Sequence, residues 1–576
     1  MRGRQIRGLV GAMAAVMALM TVFVTPVAAL GSIITVNSLS DGAPANDGAC
    51  TLREAIIAAN TNTASGAASG ECQAGTNDPG NPDAIVFSVA GTITLGSNLP
   101  NVASSLSIDG DFAITIDGQD TWLPFYIESG IVELHDLVIV NGFSTFGGAI
   151  ANGGTYLLVE RTSIRSSHAT YGGGIYNNGG SSGLTLQDST VSGNAAQYGG
   201  GIYNDAAALT IVNSTIANNS ASTSGGGIYA LGSLTTINAT IARNSAPVGG
   251  GIHQAAGAMS LYNTLVLGNT TANVLAAGTV SQTRSLTAGS GSGIIDTALR
   301  NNGGHTQTVR LLATGTSAID KADSTYCGYV PVDERGVIRS DGACDIGAVE
   351  LDKVAPKMTS GPKASLRGAN GVFLSGTSSR ARITFSGTDN AGGSGVGRYT
   401  LAQSVDGGAW KTLSSAISTT HYDKLLARGH TYRFRVRVAD HDGNRSAWKY
   451  GPTFSVKLIQ QTSTSVVYSS GWTTQSLTVF SGGSAKHAGT LGRAVRFTFS
   501  GRSVAFVTSA WIGGGVVAVY VDGVRQPNDV LLGEDSHNDY RMQAFAKTWS
   551  SVGTHTVRFV ITLAGRVDVD AFAVLK

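Results

Sequence analysis

The chain has 576 residues, 77 of them glycine; only 13% are charged and the formal net charge is +2. This near-neutral balance speaks against a nucleic-acid-binding protein, and beyond the N-terminus no stretch approaches the ~18 apolar residues that span a bilayer. The charge is unevenly placed: residues 30–352 sum to −15 and residues 353–576 to +14, which points to different partners for the two halves.

Residues 1–29 carry Arg2, Arg4 and Arg7, then an apolar run from Leu9 to Val24, then Val27-Ala28-Ala29. This is the pattern of a secretory signal cleaved after Ala29, so the mature protein is expected outside the cell or on its surface, with no membrane span left. In an oxidising compartment the four cysteines are expected to form two local bridges, Cys50–Cys72 and Cys327–Cys344. The cysteines lack nearby histidine partners, so neither a metal site nor a cofactor is predicted. Residues 30–129 are read as an N-terminal cap with the first coils. Within them Leu52, Ile56 and Ala59 share one face of a short amphipathic helix that can cover an open β edge.

From residue 130 to 275 the chain repeats itself. GGAI begins at Gly147, and GGGI begins at Gly172, Gly199, Gly225 and Gly249, at spacings of 25, 27, 26 and 24. A second phrase, RTSI, DSTV, NSTI, NATI and NTLV, places Ile164, Val191, Ile216, Ile241 and Val266 in a column led by Val138. Two independent markers with one period mean stacked units that bury a continuous core. Three glycines per unit would cost a helix ~1 kcal/mol each, and Thr, Ser, Val and Ile favour strands, so a parallel β-helix is predicted. A leucine-rich horseshoe is set aside because its Leu-spaced pattern and helical return are missing.

Ile175, Ile202, Ile228 and Ile252 are assigned to the interior, and Tyr176, Tyr203, Tyr229 and His253, one residue later, to the outside. That outer row has two readings: a platform that stacks sugars, or an aromatic ladder that stiffens the stack. Asn141, Ser167, Asn194, Asn219, Asn244 and Asn269 form another column, read as an amide ladder at a corner that needs positive φ. Arg161 and Asp188, placed in one column with His135, are expected to form a surface ion pair.

Residues 276–352 are read as the C-terminal cap of the β-helix. After Pro356 the composition shifts, and residues 353–458 alternate like an immunoglobulin or fibronectin III-type sandwich, with Asp440 to Asn444 as a hairpin turn rather than a calcium loop. Residues 459–576 alternate again around the turn Asp522-Gly523, as in a jelly-roll-like sandwich, with Trp472, Trp511 and Trp549 as candidate sugar platforms.

Several motifs carry resemblances. CTLREAIIAAN, Cys50 to Asn60, resembles the CSLREA motif of secreted bacterial repeat proteins. LRNNGGHTQTVRLLATGTSAIDKAD from Leu299 and DERGVIRSDGACDIGAVE from Asp333 resemble the closing module of choice-of-anchor domain Q proteins. The GGAI and GGGI phrases resemble the repeats of polymorphic outer membrane proteins, which are adhesins, although the membrane barrel of that family has no counterpart here. The last 110 or so residues look like carbohydrate-binding sandwiches.

Parallel β-helices also include polysaccharide lyases and hydrolases, so an enzyme has to be weighed. A lyase needs cations at the uronate, and Lys321 is the single lysine between Leu30 and Asp352. A glycosidase needs two carboxylates ~5–9.5 Å apart, and among Glu133, Asp136, Glu160, Asp188 and Asp205 register argues against most pairs: Glu160 and Asp188 are expected to point to opposite faces, and Asp205 lies on another side of the coil. The sequence therefore favours a non-catalytic adhesive protein whose partners are glycans or cell-envelope polymers, with a polysaccharide-degrading enzyme as the alternative.

Overall fold

The computed structural model describes residues 31–76, 81–178, 183–339, 343–369, 371–376, 378–534 and 538–576. The secretory signal predicted over residues 1–29 lies outside them. The described chain is almost entirely β and forms two compact units, one up to Asp352 that includes Gly392–Ser394, the other comprising the rest. None of its helices is long and apolar enough to cross a membrane.

The first unit is a parallel β-helix with three faces. Strands of successive coils stack in register on this face: Ile150, Ile175, Ile202, Ile228 and Ile252 pair in sequence, each with no exposed surface. Each such isoleucine contributes ~1.5–3 kcal/mol by leaving water, which is the energy that holds one coil to the next. The glycine triplet has a specific reason. Gly172 turns the corner at φ +68, and a Cβ on it would lie 2.1 Å from its own Ile175 carbonyl oxygen; a Cβ on Gly173 would lie 2.4 Å from the Gly200 oxygen of the next rung. One glycine satisfies the handedness and the second lets two backbones approach.

The predicted interior is therefore found, with a correction of one residue at its start. Ile164 pairs with Ile139, not with Val138, and Ser167 accepts the amide of Gly142, so Asn141 belongs one column earlier. That earlier column holds the left-handed residues Asn141, Ser166, Asn218 and Arg243 with Gly193 and Gly268. The amide ladder follows it: the Asn194, Asn219 and Asn244 side chains each donate to the next Asn oxygen at 3.0 Å, and all three are buried. The asparagines were expected to carry the positive φ; their neighbours carry it instead, which frees the amides to bond from rung to rung. A second ladder, Asn152 to Asn177 to Asn204 at 2.8 and 2.6 Å, stands on the opposite side of the core.

At the N-terminal end the helix Leu52–Thr61 starts with a capping box between Thr51 and Glu54 and buries Leu52, Ile56 and Ala59. Cys50 is bonded to Cys72 and Cys327 to Cys344. Residues 276–352, expected at the end of the stack, also run back along its flank. Thr190 Oγ1 donates to the Gln307 oxygen (2.6 Å), and Arg339 Nη2 donates to Asn213 Oδ1 (2.9 Å). The flank's motif is a buried polar network: Arg335 pairs with Asp333 at 2.8 Å and Arg339 with Glu350 at 3.1 Å, with all four groups out of solvent. Taking such pairs out of water is costly, and further hydrogen bonds such as those of Arg339 Nη2 to Asn213 and Gly347 offset part of that cost, the bond to Asn213 tying the flank to the coils.

In the second unit Lys357–Leu366, Ser378–Thr388 and His421–Ala427 form one sheet. It faces another that contains Val396–Val405 and Thr431–Asp440. The two sandwiches read from sequence are not separate bodies. Phe454–Gln460 pairs with Ala571–Leu575, which pairs with Ala494–Ile512, so one sheet continues through both, and Ala505, Val507, Ala571 and Leu575 lie in the core of the first. Asp522 and Gly523 take φ of 49° and 86°, the conformation a tight hairpin requires. In the turn after Asp440, that carboxylate accepts from the Asn444 amide and side chain, both at 2.8 Å.

Candidate functional site

Two groups of chemistry-bearing side chains lie on the outside of the coils. The first is aromatic. Tyr176, Tyr203 and Tyr229 face outward and stack ring on ring, with centroids 5.5 and 5.1 Å apart and planes within 21°; His253 closes the row edge-on at 5.1 Å. A second row runs beside it: Phe146, Tyr171 and Tyr198 stack at 5.4 and 5.8 Å, and Tyr171 and Tyr198 meet the edges of Tyr203 and Tyr229. The sequence reading passed over this row, although it was legible as the aromatic residue before the first glycine of the GGAI phrase and of two GGGI phrases. The positive-φ glycine bends the chain so that the residue before it and the residue after Ile become neighbours.

Stacking uses up ring faces, so what these rings present to solvent is edges and hydroxyls. Tyr176 donates to Asp205 at 2.8 Å. Burial pushes the Tyr203 phenol up to about 12, with Asp205 adding to the effect, so it stays a neutral donor and acceptor.

The second group is ionic. His135, Glu160 and Gln187 stand in one column by register. Asp136, Arg161 and Asp188 follow them with φ of 57°, 46° and 48°. His135 Nδ1 meets Glu160 at 2.9 Å and Nε2 meets Glu133 at 3.2 Å. Burial opposes the imidazolium, but the bonds and charges of Glu133 and Glu160 override it and raise His135 to about 9. Glu160 is held below its usual range: burial would raise it, and His135 and Arg161 outweigh that.

Here two expectations fail. Arg161 pairs with Asp136 of the preceding rung (2.6 Å) and with Glu160 (2.7 Å), not with Asp188. Nor do Glu160 and Asp188 point apart, since the Gln187 amide nitrogen lies 3.2 Å from one and 3.3 Å from the other. Both errors come from assuming strand alternation through a left-handed corner, where it does not hold. Asp188 is raised to about 6, chiefly by burial, with Glu160 adding to it.

In the second unit the three predicted tryptophans are half-buried and engaged. Trp472 packs on Tyr468; Trp511 donates to Asp568 at 2.6 Å with Arg566 3.9 Å above its ring; Trp549 stacks on His555 at 3.9 Å. Trp410, Trp448 and Tyr450, which the sequence reading did not single out, lie against Arg433, Arg435 and Arg437.

No protein-family model and no curated protein matches the chain. Solved structures give partial likenesses. The exo-β-1,3-galactanase of Phanerochaete chrysosporium with β-1,3-galactotriose is 14% identical with a TM-score of 0.14, over 38% of this chain and 56% of that one. A carbohydrate-binding module of the β-sandwich superfamily is 11% identical with a TM-score of 0.15, over 38% and 98%. The Streptomyces avermitilis α-L-rhamnosidase complexed with L-rhamnose is 17% identical with a TM-score of 0.12, over 38% and 23%. Scores this low bear on neither fold nor function.

Proposed function

We propose that this is an exported, non-catalytic protein of the cell surface or extracellular space that binds glycans or cell-envelope polymers, akin to the CSLREA and choice-of-anchor repeat proteins its end motifs resemble. The aromatic face carries this reading. Seven rings, from Phe146 to His253, repeat once per coil in two rows on a rigid stack. Among the described residues the hydroxyls of Tyr203 and Tyr229 make no hydrogen bond to the chain, so these two adjacent rungs each offer a neutral donor and acceptor at a spacing of ~4.8 Å. A linear polysaccharide, with hydroxyls repeating along an extended chain, meets such a row rung by rung. Titrating the full chain with soluble linear polysaccharides tests this. The double variant Tyr203→Phe, Tyr229→Phe keeps the ring stack and removes the hydroxyls, so affinity should fall at least fivefold with unchanged melting; an unchanged isotherm overturns the reading.

One observation favours a second reading, glycan hydrolysis: Asp188 is raised to about 6 beside a Glu160 held charged, the divergence an acid and its partner need. Against it, the Gln187 amide sits between the two carboxylates, where the sugar would have to be. Loss of a measurable hydrolysis in Asp188→Asn, with binding and folding intact, would establish the second reading.

A further inference from the structure

The outward face of the sheet in the fibronectin-like module carries a row of cations without carboxylate partners among the described residues. Arg433, Arg435 and Arg437 alternate outward from Thr431–Asp440, so they recur every ~6.8 Å along one strand. Beyond Arg437 the row opens into a cleft of about 560 Å³ lined by Arg398, Arg437 and Arg445 with the hydroxyls of Thr400, Thr412 and Ser415. Among the described residues none of these five arginines is in an ion pair, whereas Arg367 and Arg382, in the opposing sheet, share Asp423 at 2.6 and 2.7 Å. The charges acting on Arg437 are those of Arg445 and Arg435, which with burial disfavour its own. Cations gathered without a counter-charge repel one another, an arrangement that an anion from outside relieves.

The row is also held in place. Arg435 Cζ lies 4.5 Å from the centre of the Trp410 ring and 4.3 Å from that of Trp448, and Arg437 lies 4.6 Å from Trp448. Guanidiniums resting on indoles lose less freedom when they bind an oxyanion, and their planar forks match carboxylate and sulfate groups.

We propose that this face is a second binding site, independent of the coil face, for an anionic polysaccharide, one sulfate or carboxylate group seating in the Arg398–Arg437–Arg445 cleft and the chain continuing along Arg435 and Arg433. The length of the row favours a polymer over a single ion. The guanidiniums over Trp448 and Trp410 occupy faces on which the bases of a single-stranded nucleic acid would stack, which favours a glycan.

The test uses the full chain and three probes, dextran sulfate, polygalacturonate and neutral dextran, by binding titration at low salt. The variant Arg398→Gln, Arg445→Gln removes two exposed charges from the cleft; Lys357→Gln, Lys363→Gln removes the same charge from the other sheet, and melting curves check that both fold. Affinity for dextran sulfate, polygalacturonate or both should fall at least tenfold in the arginine variant and less than twofold in the lysine variant, and whichever polymer loses affinity names the acid group. Equal losses in the two variants, no loss in either, displacement by equivalent inorganic sulfate as readily as by polymer, or equally tight binding of single-stranded DNA would each overturn the proposal. Because the tyrosines are untouched, failure here leaves the coil-face reading standing.

Discussion

The β-helix and the C-terminal sandwiches solve the placing of polar groups in opposite ways. In the coils many side chains have a copy of themselves, or a complement, one rung away, so amides are drawn into the interior as ladders and charges pair between rungs, as Asp136 does with Arg161. In the antiparallel sandwiches no such repeat exists. Their cores are aromatic, with Phe497, Phe506, Phe559 and Phe572 clustered, and cations are left on the surface beside indoles. A repeat makes buried polarity inexpensive, because one arrangement satisfies every copy; without it, each buried charge needs its own partners, as Asp568 has in Trp511 and Arg566, and most cations stay at the surface.

The sharpest way to break this comparison is at the core column. Ile228→Asp puts an unpaired charge where no surface is exposed and should destabilise the coil by more than ~4 kcal/mol, while Tyr229→Asp, one residue on, should cost ~1 kcal/mol. Chemical denaturation that finds the two equal would mean the column is not the core. Reduction of the two disulfides comes next. Each closes a short loop, 22 and 17 residues apart in sequence, and each should contribute ~3 kcal/mol, read from melting curves of oxidised and reduced protein.

Stability against pH should also divide the chain. His135 is raised from 6.5 to about 9, so its stabilisation is whole below 6.5 and is lost as pH rises through 9, at most about 3 kcal/mol at roughly 1.4 per pH unit. Asp188, raised to about 6, acts in the same sense at lower pH, and Glu334 acts in the same sense as well. That carboxyl is pushed well above its usual range by burial, although it accepts from Thr215 and from Thr306, the latter at 3.0 Å. The coils should therefore lose stability from pH 6.5 to 9, and His135→Gln should flatten that part of the curve; a coil indifferent to pH there would contradict the ion cluster. The smallest effect expected is in the sandwich: Asp423→Asn breaks an exposed arginine pair and should change stability by at most ~1 kcal/mol in a double-mutant cycle with Arg382.

How much of this was legible beforehand follows from the range of the forces. A fixed period determines a stack, and glycine triplets with β-branched neighbours determine that it is extended, because these are local steric facts repeated many times. The same holds for Ile202 inside and Tyr203 outside, and for the asparagine ladder, since equivalence between rungs is written in the spacing. Two bridges followed from proximity along the chain. The aromatic row Phe146, Tyr171, Tyr198 was present in the spacing as well, but it becomes adjacent to the tyrosines only through the glycine corner.

Tertiary structure alone decided the rest. The left-handed residues Asp136, Arg161 and Asp188 turn the chain, so alternation misassigned their partners, and backbone handedness at non-glycine residues depends on contacts with the next coil. The described residues of 276–352 contain little regular structure, and their place along the flank rests on bonds such as that of Arg339, paired with Glu350, to Asn213 far along the chain. The pairing of Phe454–Gln460 with Ala571–Leu575 joins strands more than 100 residues apart, and the arginine cleft gathers Arg398, Arg437 and Arg445 from two strands and a turn. Composition records that those cations exist; only the fold removes their counter-charges and sets them side by side.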